Sequence, residues 1–266
     1  LKISELEKSI ENCFEDIQGE YSIVIEIGNN QISLNGNKKM PAASIIKIPI
    51  LMEGYRVIEN KKFSEMTKIR YLEEDKVGGM GVLNSLASAN PLAWIDILTL
   101  MIIVSDNTAA NLAIKNLGFS EVNRLCEEAG CKNTDLGRYF MDMEAIKKGS
   151  NNYTSANDMV FLLKEIVHGN LLSDDSKASI LRILKHQQFN TKLPGLLHQK
   201  DIPGSLVMAH KTGELPGVEH DVGILEYKEE KVYIAVLLSD LSSNCDGQKA
   251  IAQIGELVYR FLKSNY

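Results

Sequence analysis

Where the strand-like stretches fall constrains this fold more than any other feature of the chain. β-Branched and aromatic residues crowd positions 21–27, and Gly28-Asn29-Asn30 turns the chain back into a partner at 31–34. The next strand-like stretches are 205–212, 221–227 and 231–238, the last two joined by a charged turn at Lys228-Glu229-Glu230. Everything between the two groups reads as helix or loop. Strands at both ends of a chain can share one sheet only if the middle is looped out. The expectation is therefore an α/β (α+β) fold: a five-stranded antiparallel sheet flanked by terminal helices, with an inserted all-helical lobe. One domain would span 1–266, with an α/β lobe at about 1–43 and 200–266 and a helical lobe at about 44–199.

Apolar residues at helical spacing predict helices at 3–17, ended by Gly19, at 44–58, and at 91–104 with Pro91 in its first turn. Further helices are expected at 108–117, ended by Gly118, at 121–129 behind a Ser120 cap, and at 154–167, 173–184 and 250–262. The segment 134–152 is irregular, as is a loop holding Pro194, Gly195, Pro203 and Gly204. Val77-Gly78-Gly79-Met80-Gly81 reads as a flexible turn. It is not a phosphate loop, because no Gly-Lys-Ser/Thr follows.

Composition removes several classes of function. Net charge is −6 with no basic stripe, which argues against nucleic acid as a partner. The longest apolar run, 95–104, is too short to span a bilayer. Four cysteines form no C-x-x-C pair, and five histidines show no metal-ligand spacing, so neither a metal nor another cofactor is expected. The opening Leu1-Lys2-Ile3-Ser4 begins an amphipathic helix, not the apolar core of a signal peptide.

Three short stretches carry candidate chemistry. Ser44 and Lys47 lie one turn apart on one helix face, among Ile45, Ile46, Ile48, Pro49, Ile50 and Leu51. A serine needs a base to become a nucleophile. An amine in apolar surroundings can be that base, because burial disfavours its charged form. Backbone N–H groups at the helix start would suit the oxyanion formed by attack on a carbonyl. Ser105-Asp106-Asn107 sits between two helices. It is either a helix cap or a second hydroxyl that relays a proton, with Asn107 holding a substrate amide. Lys211-Thr212-Gly213 ends a strand. It is either a strand-to-turn transition or a cation and hydroxyl for a substrate carboxylate, with Gly213 leaving room for the ligand.

Ser-x-x-Lys, Ser-Asp-Asn and Lys-Thr-Gly in that order make the chain resemble the serine β-lactamase and penicillin-recognising enzymes, class A most closely. The resemblance extends through Thr108-Ala109-Ala110-Asn111-Leu112 and Asp221-Val222-Gly223-Ile224 and covers nearly the whole chain. It implies that Ser44 attacks a lactam or amide carbonyl and that Lys47 takes its proton. Ser105 would pass a proton to the leaving nitrogen. Lys211 and Thr212 would hold the substrate carboxylate, and the N–H groups of Ser44 and Glu214 would form the oxyanion hole. It also implies a monomer acting on a small-molecule β-lactam or a peptide or ester substrate, in an extracytoplasmic location; with no signal peptide visible, a cytoplasmic one stays open.

Two departures from the family pattern stand out. Class A enzymes carry a deacylating glutamate in a leucine-x-arginine-x-glutamate pattern. Here Leu136-Gly137-Arg138-Tyr139-Phe140 puts Phe140 in that place. Either Asp142 or, as the preferred candidate, Glu144 replaces the base, or deacylation is slow. Arg138 is taken as fixing the loop. The usual arginine after Lys-Thr-Gly is also missing, since Glu219-His220-Asp221 stands there. Beside a β-lactamase, the sequence therefore leaves open a penicillin-binding, DD-peptidase-like or esterase acyl enzyme and a non-enzymatic β-lactam sensor.

Overall fold

The computed structural model describes residues 2–87, 89–197 and 206–266. The chain opens with α1 (Ile3–Asn12), the hairpin β1 (Glu20–Ile27) and β2 (Asn30–Leu34), and a short β3 (Met40–Pro41). A 3-10 turn, Ala43–Ile46, runs directly into α2 (Lys47–Glu59). Then come β4 (Lys68–Ile69), β5 (Leu92–Ala93), α3 (Trp94–Ile103), α4 (Asn107–Leu117), α5 (Phe119–Glu128), α6 (Met143–Lys147) and β6 (Tyr153–Thr154). The helices α7 (Ala156–His168) and α8 (Asp174–Lys185) follow. The chain closes with β7 (Leu206–Leu215), β8 (Val218–Tyr227), β9 (Glu230–Ser239) and α9 (Asn244–Asn265).

The five long strands form one antiparallel sheet in the order β2-β1-β9-β8-β7. The first and last parts of the chain meet where β1 pairs with β9, with Val24 opposite Ala235. Both faces of this sheet are buried. Ile23, Ile25 and Ile27, with Val232, Ile234 and Val236, face α1 and α9. Val24, Tyr233, Ala235 and Leu237 face the helices of the chain's middle. That is why β1 and β9 read as continuous apolar runs, although antiparallel strands usually alternate with polar residues. Helix α2 is buried nearly all round, from Lys47 through Tyr55, so it is the hub on which the other helices pack.

Several boundaries differ from the sequence reading. α1 stops at Asn12, and Phe14 is buried from the turn that follows. Pro91 lies before β5 and outside α3, which begins at Trp94, because the 92–93 backbone pairs with 68–69. Ser120 lies inside α5, whose cap is Gly118 at φ +92°, a value reached easily without a side chain. The segment 134–152 is not wholly irregular, since it holds α6. α9 is longer than 250–262 at both ends. Ser205, Pro203 and Gly204 lie outside the described residues. No described helix is long and apolar enough to cross a membrane.

Candidate active site

The site is assembled where the start of α2, the α3–α4 junction and the edge strand β7 meet. Ala43 at φ +44° swings the chain into the 3-10 turn that carries Ser44, and Asn152 O accepts the Ala42 N–H at 2.9 Å. Lys47 is completely buried. Its Nζ lies 3.2 Å from Ser44 Oγ, 3.1 Å from Ser105 Oγ, 2.7 Å from Ser105 O and 2.9 Å from Asn107 Oδ1. Burial, reinforced by the charge of Lys211 and opposed by Asp106, holds its pKa well below the usual lysine value. A neutral amine has two N–H groups and one lone pair. Ser105 O and Asn107 Oδ1 can only accept, so they take the two protons. The lone pair is then left to receive a hydroxyl proton from Ser44 or Ser105.

Ser105, at φ +53°, is held in the left-handed region, a backbone conformation that costs a non-glycine residue energy and gathers at functional sites. Asp106 is buried and caps α4 by accepting the Ala109 N–H at 2.9 Å. Its other oxygen accepts from Val82 N at 2.6 Å and Leu83 N at 2.9 Å. Asn107 donates to Gly78 O at 3.1 Å, and Thr108 Oγ1 accepts from Val77 N at 3.0 Å. The 77–83 segment is therefore pinned and not the free turn its glycines suggested. The glycines are needed for contact: a Cβ on Gly79 would lie 2.6 Å from Asn107 Nδ2, and one on Gly81 2.4 Å from the Asp106 carboxylate.

β7 is an edge strand and brings Lys211 in from the other side. Lys211 Nζ donates to Ser105 Oγ at 3.1 Å and to Thr212 O at 2.8 Å. Burial lowers its pKa to about 7, helped by the charge of Lys192 and opposed by Asp221. Ser105 Oγ thus bridges two buried amines. Thr212 lines a small cleft with Ser44, Ser105 and Glu214. Gly213 lets the strand pass close to the Ser44 turn, since a Cβ there would lie 3.2 Å from Ala43 Cβ.

Lys192 was missed at the sequence level. It is buried, donates to Gly213 O at 2.8 Å and His220 O at 3.3 Å, and pairs with Glu219. It sits in no motif, and its partners are more than twenty residues away, so only folding reveals it. Glu219, His220 and Asp221, where the family's arginine is missing, are scaffold groups. Asp221 accepts from Leu193 N at 3.0 Å and pairs with His210 at 2.8 Å. Burial lowers the His220 pKa to about 4, so its ring is neutral near pH 7. Its Nε2 faces Pro41 O at 2.7 Å, and its Nδ1 lies 2.8 Å from Glu219 O and 3.1 Å from Leu238 N.

The model for the beta-lactamase enzyme family matches residues 5–262. The chain belongs to that family. It is similar to a β-lactamase from Sphaerobacter thermophilus DSM 20745, with 26% identity and a TM-score of 0.91 over 98% of this chain and 97% of that one. It is also similar to PBP-A, with 24% identity and a TM-score of 0.87 over 98% and 97% of the two chains. A β-lactamase from Chitinophaga pinensis DSM 2588 shares 21% identity, with a TM-score of 0.87 over 97% and 99%. Among curated proteins, none matches significantly. The family match and the Sphaerobacter neighbour make the protein a hydrolase of the serine β-lactamase type.

Within this β-lactamase-family frame, the 136–152 loop is where the chain departs. Phe140 is buried, and its ring centroid is 4.3 Å from Lys47 Nζ. Asn111 clamps its backbone at both ends, accepting from Phe140 N at 2.8 Å and donating to its carbonyl at 3.0 Å. Arg138 donates to Asn151 Oδ1 and Tyr139 O, both at 2.9 Å. The carboxylate candidates are not brought to Ser44. Glu144 lies on α6, its side chain 71% exposed and paired with Lys147 at 2.7 Å, and it lines neither cavity that contains Ser44. Asp142 caps α6 through Ala145 N at 2.9 Å and lines a different cavity. The reason is helical: once α6 forms, its first-turn acid meets the lysine three residues on instead of turning inward. The cleft around Ser44 comprises a cavity of about 90 Å³ beside Thr212 and Lys192 and one of about 470 Å³ beside Phe140.

Proposed function

We propose that this chain opens β-lactam amide bonds through an acyl-enzyme on Ser44 and releases the acyl group slowly. As Ser44 Oγ bonds to the carbonyl carbon, its proton passes to the neutral Lys47 amine. The N–H groups of Ser44 and Glu214 hold the oxyanion. The carbon–nitrogen bond then breaks, and the proton returns from Lys47 through Ser105 Oγ to the leaving nitrogen. Asn107 orients the substrate amide, and Lys211 and Thr212 hold the substrate carboxylate, with Gly213 giving it room. The single observation that carries this reading is the buried, deprotonation-prone Lys47 amine within hydrogen-bond reach of both serine hydroxyls.

Slow release follows from Phe140. An aromatic ring fills the space beside Lys47 and cannot activate water, and Glu144 is turned to solvent. That favours a penicillin-binding-like acyl enzyme, acting on a peptide or ester, as the second reading. In keeping with it, PBP-A has been solved, as a variant, in an acyl-enzyme complex with penicillin G. Intact-mass measurement after penicillin exposure, beside a nitrocefin turnover assay, tests the proposal. A persistent adduct with slow turnover supports it, and fast turnover without an adduct contradicts slow release. Neither adduct nor turnover, with Ser44→Ala indistinguishable from the parent chain, refutes Ser44 as the nucleophile.

A further inference from the structure

Glu214 is the one acidic residue, among the described residues, that lines the two cavities reaching Ser44. It lies on β7 two positions beyond Thr212, so the two side chains share a strand face. It is exposed, and no hydrogen bond or ion pair holds its carboxylate among the described residues. Glu219 and Asp221 across the hairpin are instead buried and paired with Lys192 and His210. The cations around the cleft are engaged: Lys47 and Lys211 by Ser105 and its neighbours, and Lys192, which lines the smaller cavity, by Glu219 and the carbonyls of Gly213 and His220. Arg138, on the wall of the larger cavity, directs its donors to Asn151 and Tyr139. That cavity is otherwise largely apolar, with Met80, Met141, Met143, Ile146, Leu215 and Pro216 on its walls.

Glu214 thus places a carboxylate with no partner among the described residues on the wall shared by both cavities. Thr212, proposed above to hold the substrate carboxylate, lines the smaller cavity, and Glu214 also lines the apolar cavity of about 470 Å³. We propose that Glu214 is a specificity-determining residue that selects acyl donors whose apolar side chain bears an ammonium group over those bearing a second carboxylate. The selection rests on the acylation of Ser44 proposed above. It acts by Coulomb attraction and repulsion across the cleft wall, where each interaction is modest because the carboxylate is exposed.

The experiment compares acylation rates, read as adduct growth by intact mass, for three penicillins of one scaffold. Ampicillin carries an ammonium on its side chain, benzylpenicillin is neutral there, and carbenicillin carries a second carboxylate. The parent chain should favour ampicillin over carbenicillin. Attraction of one and repulsion of the other together predict a ratio that falls about tenfold in Glu214→Gln and reverses in Glu214→Lys. The same ratio should shrink as salt is raised, as expected for exposed charges. Adducts on Ser44 with a ratio unchanged in both variants would overturn the charge selection and leave the acyl-enzyme reading standing. No adduct from any of the three would overturn both.

Discussion

Replacing Phe140 with glutamate tests how this site handles release of the acyl group. The ring centroid lies 4.3 Å from Lys47 Nζ, so a carboxylate at that point would face a buried amine at contact distance. At an effective dielectric of about 20, the attraction between unit charges at that separation is about 4 kcal/mol. It would pull the Lys47 pKa back up toward the ordinary lysine range and weaken Lys47 as the acylation base. The new carboxylate would itself be a base beside the acyl carbonyl, an effect typically worth about 10²- to 10⁴-fold. Phe140→Glu should therefore shorten the acyl-enzyme lifetime by about that factor while acylation speeds up little or slows. Phe140→Gln has nearly the same shape and no base, so it should leave the lifetime long. Both variants lose a buried aromatic side chain, a destabilisation of about 3 kcal/mol that a urea titration should register. Stopped-flow acylation and intact-mass decay of the benzylpenicillin adduct give the two rates separately. If Phe140→Glu folds and its adduct decays no faster than that of Phe140→Gln, the ring does not occupy the place from which water is activated.

Other expectations follow from the same geometry. Glu144→Gln should leave the adduct lifetime unchanged and stability within about 0.5 kcal/mol, because the side chain is exposed; a tenfold longer lifetime would restore Glu144 as the base. Asp106→Ala removes three hydrogen bonds to a buried carboxylate and should cost about 3 kcal/mol, with faster amide exchange at Val82 and Leu83; unchanged protection there would contradict the pinning of the 77–83 segment. Lys211 titrates at about 7 when folded and near 10.5 when unfolded. Between those values the unfolded chain binds the extra proton, so the Lys211 contribution to stability is full above about pH 10.5 and is lost as pH falls toward 7. Relative to Lys211→Met, the parent chain should gain about 2 kcal/mol from pH 7 to pH 9 in urea titrations, and a flat difference would refute the depressed value. Acylation by anionic substrates should likewise fall above about pH 7, and Lys211→Arg should move that limb to higher pH.

How much of this was legible in the chain depended on the range of each interaction. The order of strands and helices came from local periodicity, and the sheet closed from both ends as that order required. Boundaries went wrong where a distant partner intervened. Pairing of 92–93 with 68–69 kept Pro91 out of α3, and α6 formed inside a stretch that had no helical periodicity to announce it. The glycines at 79 and 81 looked like freedom, because the Asn107 and Asp106 side chains that crowd them lie more than twenty residues away. Lys192 carried no signal at all, and nothing local to Glu144 announced that α6 would turn its side chain to solvent.

The sequence by itself determined the fold class and the chemical types at Ser44, Lys47, Ser105 and Lys211, because these rest on short-range spacing and residue chemistry. Only the tertiary structure decided their states. The depressed Lys47 and Lys211 amines, the neutral His220, the ring over Lys47 and the place of the Glu214 carboxylate on the cleft wall all depend on what packs around each group. Desolvation and Coulomb interactions act through space, and spacing along the chain does not encode which groups they bring together.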